Sequence, residues 1–93
     1  MSPPCKKPRN CGCKFKGKAF KPAGVPLSDV KRIPLLRDEL EALRLCDRDD
    51  LTQAEAGERM GISRGTVQRI LSSARKKVAR ALTQGDAIVF EDT

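Results

Sequence analysis

Apolar residues recur at three- and four-residue steps in two stretches of the chain, and this spacing predicts amphipathic helices. One stretch covers residues 37–47, where Leu40 and Leu43 share a face and acids occupy the first turns, which favours a helix start. The other covers residues 64–84 and keeps an apolar stripe along one side. A weaker apolar run at residues 87–90 has strand propensity.

Local signals between these stretches predict another helix and a sharp turn. Thr52 stands three residues before Glu55, which is the capping-box spacing at a helix start. Gly61 suits the left-handed backbone that ends a helix, and Ser63 is a good N-cap for the next one. Gly85 is expected to end that long helix.

The residues from 53 to 72 match the twenty-residue helix-turn-helix pattern of DNA-binding proteins. Gly57 falls where the two helices approach closely, and Gly61 falls in the turn. The five positions that form the shared core of this motif are apolar, namely Ala56, Met60, Ile62, Val67 and Ile70. A helical hairpin that only packs is the alternative interpretation, because a short glycine-containing turn is not diagnostic.

The pattern therefore predicts a mainly α fold, a trihelical helix-turn-helix domain over residues 27–93. Residues 1–26 hold five of the six prolines, so an extended basic N-terminal arm is expected there. The short C-terminal strand would pair near Phe20 or Ile33, or form a homodimer contact.

Charge is distributed unevenly along the chain, whose net charge is +7. Residues 1–28 hold seven Lys or Arg and no acid, and six more lie between Arg64 and Gly85, again with no acid. A solvated helix usually mixes both signs, so this distribution indicates a polyanionic partner such as nucleic acid. Trp and Tyr are absent, which disfavours single-stranded RNA because its bases generally stack on aromatic rings.

The four cysteines leave three interpretations open. Cys11 and Cys13 could chelate one soft metal ion such as zinc, with Cys5 as a third ligand and Cys46 as a fourth. Reduced, unligated thiols are the first expectation in a cytoplasmic protein, and a redox switch is the third possibility. No cofactor beyond such a metal is expected.

Other function classes find little support. Histidine is absent, and no glycine loop of a phosphate-binding enzyme occurs, so an enzyme is not expected. No apolar stretch has the length of a membrane helix or the form of a signal peptide, so a cytoplasmic protein without a membrane partner is expected.

Two sets of residues are candidates for contacts with double-stranded DNA. Base edges are expected to contact the start and the polar side of the second motif helix, at Arg64, Gln68, Arg69 and Ser72. Phosphates are expected to contact helix starts and further basic side chains, at Thr52, Gln53, Ser63, Lys76, Lys77 and Arg80.

The segments FKPAGVPL and DELEALRLCD, with the motif and the following AR-KVARAL-QG-AI, resemble a family of small uncharacterised predicted DNA-binding proteins of bacteria and archaea. The helix-turn-helix of that family is similar to region four of sigma factors, and the resemblance covers about residues 20–90. Gly57 departs from the more usual alanine, and Gly65 from a bulkier residue or proline, so the DNA preference is expected to differ. What the resemblance implies is DNA binding.

The sequence thus predicts a sequence-specific DNA-binding protein that regulates transcription. Two alternatives stay open. One is a metal-binding or redox-sensing cysteine module coupled to DNA binding. The other is a sigma-like adaptor that contacts RNA polymerase as well as DNA.

Overall fold

The computed structural model of the chain describes residues 19–91. In chain order they form strand β1 (Ala19–Phe20), a 3-10 turn (Leu27–Asp29), strand β2 (Arg32–Leu36), helix α1 (Arg37–Ala42) with a π-helical continuation (Leu43–Arg48), helix α2 (Gln53–Met60), helix α3 (Arg64–Gln84) and strand β3 (Ala87–Glu91). The first 18 residues of the predicted arm, which include Cys5, Cys11 and Cys13, lie outside the described residues.

The helices begin and end at the residues that carry the local signals. Thr52 Oγ1 accepts a hydrogen bond from the Glu55 N–H at 3.1 Å, and the Glu55 carboxylate accepts one from the Thr52 N–H at 2.8 Å. The Ser63 hydroxyl caps α3 by accepting from the N–H three residues on. Gly61 and Gly85 end α2 and α3 with φ of 73° and 75°. The predicted capping box, turn and helix ends are therefore confirmed.

The helix predicted at residues 37–47 is also confirmed, and its last turn is wider than an α-helical one. Here the Asp49 N–H donates to the Arg44 carbonyl, five residues earlier, at 3.0 Å. Asp50 then adopts a left-handed conformation with φ of 61°, which aspartate tolerates better than most residues. These two features turn the chain sharply into α2.

The three strands form one sheet in which β3 is central, antiparallel to β1 and parallel to β2. Ile88 lies opposite Phe20 on one side and Ile33 on the other. The predicted C-terminal strand is confirmed, and it pairs with both of its candidate partner segments. The sequence identifies the segment near Ile33 only as a candidate partner and does not predict the bounds of β2, because Pro34 interrupts its apolar run. A proline fits there because β2 is an edge strand, whose outer side needs no N–H donor.

The buried side chains form two clusters. The sheet cluster lies between the sheet and the C-terminal half of α3, and its members are Ile33, Leu35, Ala74, Ala81 and Ile88. The helix cluster lies between α2, the start of α3 and the π-helical turn, and its members are Leu45, Ala56 and Val67. Met60 and Ile62 pack against the helix cluster, as the motif predicts.

The expectation of a trihelical domain with a short C-terminal strand is therefore incomplete, because that strand is the centre of a three-stranded sheet. Half of α3 packs on a sheet, and the alanines at positions 74 and 81 leave room for the strands to approach the helix. The fold is mainly helical, with three helices and a small mixed sheet.

None of the helices in the described part of the chain is both long enough and apolar enough to cross a membrane.

Candidate functional site

One side of α3 carries polar side chains that have no partner within residues 19–91. Residues three, four and seven positions apart share one side of a helix. Gln68, Arg69, Ser72 and Lys76 lie together in this way, all four are exposed, and we call them the outer face. Arg64 is exposed in the first turn of the same helix. No hydrogen bond or ion pair joins any of these five side chains to another described residue.

The other three basic residues of α3 are paired with acids that lie outside this helix. Arg75 forms a bidentate salt bridge with Asp47, in which Nη2 donates to Oδ1 at 2.7 Å and Nε donates to Oδ2 at 3.1 Å. This salt bridge lowers the pKa of the Asp47 carboxyl. Arg80 lies 3.7 Å from a carboxylate oxygen of Asp86. Lys77 pairs with the buried Glu39. The sequence shows an all-basic helix, but the fold neutralises half of that charge and leaves Arg64, Arg69 and Lys76.

Lys77 is held by the fold. Its Nζ donates to a Glu39 carboxylate oxygen and to the Pro34 carbonyl, both at 2.8 Å. Glu39 is only 5% exposed and also accepts from the Ser73 hydroxyl at 2.7 Å and from the Leu36 N–H at 2.9 Å. Lys77 is therefore a weaker candidate for a DNA phosphate contact than the sequence alone suggests. Its charge is used to join α3 to α1 and β2.

The electrostatics of Glu39 follow from these contacts. Burial alone would raise the pKa of this carboxyl, but the hydrogen bonds from Lys77, from the Leu36 N–H and from Ser73 outweigh it. The pKa of Glu39 is therefore lowered, and the group is ionised at neutral pH.

In the sequence, Glu39 is only one of the acids that favour a helix start at residues 37–47. One signal for burial was available, because Glu39 lies three residues from the apolar Leu36 and Ala42, at the spacing of buried positions.

The two helix starts of the motif differ in charge. At α2, the Thr52 hydroxyl and N–H are both used in the capping box, and the Glu55 carboxylate lies beside them. At α3, no acid lies in the first turn, and among the described residues the Ser63 hydroxyl forms hydrogen bonds only with Thr66. An anion is therefore favoured at the start of α3 and disfavoured near Thr52. Gln53, in the first turn of α2, is half-buried.

The turn between the helices is packed tightly against α2 at Gly57. A Cβ added to Gly57 would lie 2.6 Å from the Ile62 carbonyl oxygen and 3.5 Å from Val67 Cγ2. The predicted close approach of the two helices at this position is confirmed. It fixes the angle at which α3 leaves the turn.

The structure places Cys46 away from any group that could hold a metal ion. Its side chain is half-buried against the helix cluster, burial and Asp47 raise the pKa of its thiol, and Arg75 opposes the rise. Within residues 19–91, no three His, Cys, Asp or Glu side chains come together as ligands. Nothing in this part of the fold supports Cys46 as a fourth ligand, and Cys5, Cys11 and Cys13 lie outside it.

Comparison with known proteins extends the resemblance seen in the sequence. The family described as "Protein of unknown function DUF134" matches residues 2–93. The UPF0251 protein of Halothermothrix orenii is 51% identical over 72 residues, which cover 77% of this chain and 53% of the relative. That of Vibrio vulnificus (strain CMCP6) is 49% identical over 85 residues, covering 91% of this chain and 85% of the relative. The UPF0251 protein of Shewanella pealeana is 47% identical over 90 residues, which cover 97% of this chain and 93% of the relative.

The relatives differ in length. This chain spans about half of the Halothermothrix orenii protein and 47% of the Desulforudis audaxviator protein. No solved structure matches the chain. The family match covers nearly every residue of this chain, and the relatives are identical to it at about half of the aligned positions. The chain therefore belongs to the DUF134 family, and the relatives that it matches are named UPF0251 proteins.

Proposed function

We propose that this protein binds double-stranded DNA in a sequence-specific manner and regulates transcription, with α3 in the major groove. The observation that carries the proposal is the outer face of α3. Its polar side chains and Arg64 have no partner in the described part of the chain, while the remaining basic side chains of the helix are paired. Unpaired cations on one exposed helix face favour a polyanionic partner.

The dimensions of α3 support contact through its first turns. Its 21 residues give a length of about 31 Å at 1.5 Å per residue, whereas the major groove is about 12 Å wide. Arg64, Gln68, Arg69 and Ser72 all lie in the N-terminal half, where a helix entering the groove contacts base edges. Arginine suits the acceptors of guanine, and glutamine suits adenine.

Phosphate contacts are assigned more narrowly than the sequence alone suggests. We retain Ser63, at the acid-free start of α3, together with Gln53 and Lys76. Thr52 is a weaker candidate because Glu55 lies beside it, and Arg80 because Asp86 is nearby. The sequence resembles a family whose helix-turn-helix is similar to region four of sigma factors, and this resemblance implies the same docking.

The proposal is tested by selection from a library of random-sequence duplexes. Protein-bound duplexes are recovered, amplified and sequenced over several rounds. A shared sequence motif is expected among them. A bound pool with no shared motif would refute specific recognition, and the absence of any bound duplex would refute DNA binding.

Replacing Arg69 with alanine is expected to weaken binding to the selected duplex by about 1–3 kcal/mol, and binding to random DNA much less. The reason is that Arg69 is an unpaired side chain of the outer face, so its guanidinium is available to a base edge. Fluorescence anisotropy with labelled duplexes measures both affinities. Equal losses on the two DNAs would assign Arg69 to a phosphate.

The matched control for this variant is Arg75→Ala. It removes the same side chain from the same helix, but Arg75 is engaged by Asp47. Its affinity for the selected duplex is expected to stay close to that of the wild-type protein. A loss as large as that of Arg69→Ala would mean that net charge, and not position on the outer face, determines binding.

The N-terminal segment is expected to add salt-dependent affinity. A variant that begins at Lys18 keeps β1 but lacks five basic residues, Lys6, Lys7, Arg9, Lys14 and Lys16. Each lost phosphate contact reduces the log–log salt slope by about 0.9, so the slope should become shallower by as much as about 4.5. Binding to the selected duplex is titrated at several salt concentrations.

The control is a full-length variant with glutamine at these five positions. If charge is responsible, it should match the shortened protein, and both should keep the sequence preference of the wild type. An unchanged slope in both would mean that α3 and its neighbours supply the phosphate contacts alone.

A further inference from the structure

Four of the five glycines in the described part of the chain have a reason within the fold. Gly24, Gly61 and Gly85 adopt φ of 80°, 73° and 75°, a conformation that other residues rarely take. Gly57 is closed in by the Ile62 carbonyl. Gly65 has neither constraint, because its φ is not positive and nothing lies within 4 Å of a Cβ built on it.

Glycine at position 65 also weakens the helix that contains it. Gly65 lies in the first turn of α3, and glycine is a poorer helix former than alanine because it loses more backbone freedom on folding. An alanine would fit without contact and would make the helix more stable. The packing and the backbone of this fold therefore give no reason for glycine at this position.

The position of Gly65 relative to the outer face suggests the missing reason. Gln68, Arg69 and Ser72 follow it by three, four and seven residues, so Gly65 lies on the same side of α3 as they do. These neighbours extend into solvent while Gly65 has no side chain. The helix backbone is therefore accessible at this one point between longer polar groups.

We infer that Gly65 is a specificity-determining position, where the backbone of α3 comes close to base edges in the major groove. This inference rests on the proposed function. A side chain at position 65 would hold the first turn away from the groove floor and lengthen the contacts made by Arg69 and Gln68. Close contact of backbone and ligand is a common use of glycine.

The test combines thermal stability and DNA binding for Gly65→Ala and Gly65→Leu. The Tm of Gly65→Ala is expected to rise by about 2–5 °C, because alanine improves the helix. Its affinity for the duplex selected by the wild-type protein is expected to fall about tenfold, and that of Gly65→Leu further, since mispaired contacts at base edges have effects of this order. Affinity for random duplexes should change less than threefold.

Ala79→Leu is the matched control for Gly65→Leu. Ala79 is exposed on the same side of α3, about four turns further along and beyond the reach of the groove. This variant is expected to bind the selected duplex as the wild type does.

The outcomes separate the two proposals. Suppose that the wild type selects a duplex but that Gly65→Ala and Gly65→Leu bind it as tightly as the wild type does, or lose as much affinity for random duplexes as for the selected one. The inference is then wrong and the proposed function stands. A lower Tm for Gly65→Ala would also overturn it, because the fold would then require the glycine. If the wild type selects no DNA at all, both proposals fail.

Discussion

Replacing Glu39 with alanine is expected to lower the free energy of unfolding by about 3 kcal/mol. The carboxylate is buried and joins three elements through Lys77, Ser73 and the Leu36 N–H. Its removal leaves the partly buried Lys77 ammonium without its counter-charge, and it leaves two donors without an acceptor. Urea denaturation followed by circular dichroism measures the loss.

Glu58→Ala serves as the control for this variant, because Glu58 is an exposed glutamate on α2. Its effect is expected to stay within about 0.5 kcal/mol, as for most surface substitutions. A similar loss in both variants would contradict the stabilising role of the Glu39 network.

The pH dependence gives a second measurement of the same network. The pKa of Glu39 is lowered in the folded protein, so the unfolded chain takes up the proton first as pH falls. The stability that Glu39 supplies is therefore complete above its unfolded pKa of about 4.3 and is lost as pH falls through the folded value. The difference between wild type and Glu39→Ala should shrink below about pH 4, and a constant difference would contradict this.

Replacing Gly57 with valine is expected to destabilise the fold by about 3 kcal/mol or more. The new Cβ would lie 2.6 Å from the Ile62 carbonyl oxygen, which is backbone and cannot rotate away, and its methyl groups would approach Val67. The turn must shift, and the angle between α2 and α3 shifts with it. Urea denaturation measures the loss in this variant as well.

Gly65→Val is the matched control, because it makes the same substitution at a helix position where no atom of residues 19–91, apart from the chain neighbours of Gly65 and the helix's own backbone, lies within 4 Å of an added Cβ. It is expected to change stability by less than about 0.5 kcal/mol. If both valine variants were equally stable, the helices would not be in close contact at Gly57.

The helices could be predicted because their signals are local. A capping box spans four residues, as Thr52 and Glu55 show, and Gly61 and Gly85 mark the left-handed ends of α2 and α3. The sheet could not be predicted in the same way. β2 and β3 are separated by all three helices, and Pro34 breaks the apolar run of β2. Only the folded chain shows that Ile33 and Ile88 are paired.

In the candidate site, too, the features with local signals could be predicted and the contacts between distant residues could not. Helical periodicity correctly predicts that Gln68, Arg69, Ser72 and Lys76 are exposed on one side of α3. It does not show which cations are already neutralised, because the acids that pair with Arg75 and Lys77 lie 28 and 38 residues earlier in the chain. The sequence therefore predicts the face and overestimates its charge.

The placement of α3 across two separate clusters has a mechanical consequence. Val67 anchors its first half among the helices, whereas Ala74 and Ala81 anchor its second half on the sheet. A helix that moves as a rigid rod transmits a tilt from one end to the other, and over about 20 Å a tilt of about 10° moves the far end by roughly 3.5 Å, about two-thirds of the helical pitch of about 5.4 Å. Small changes in strand packing would thus be amplified into displacement of Arg64 and Arg69. Residues of the sheet that never touch a ligand can therefore set the angle at which these two arginines are presented.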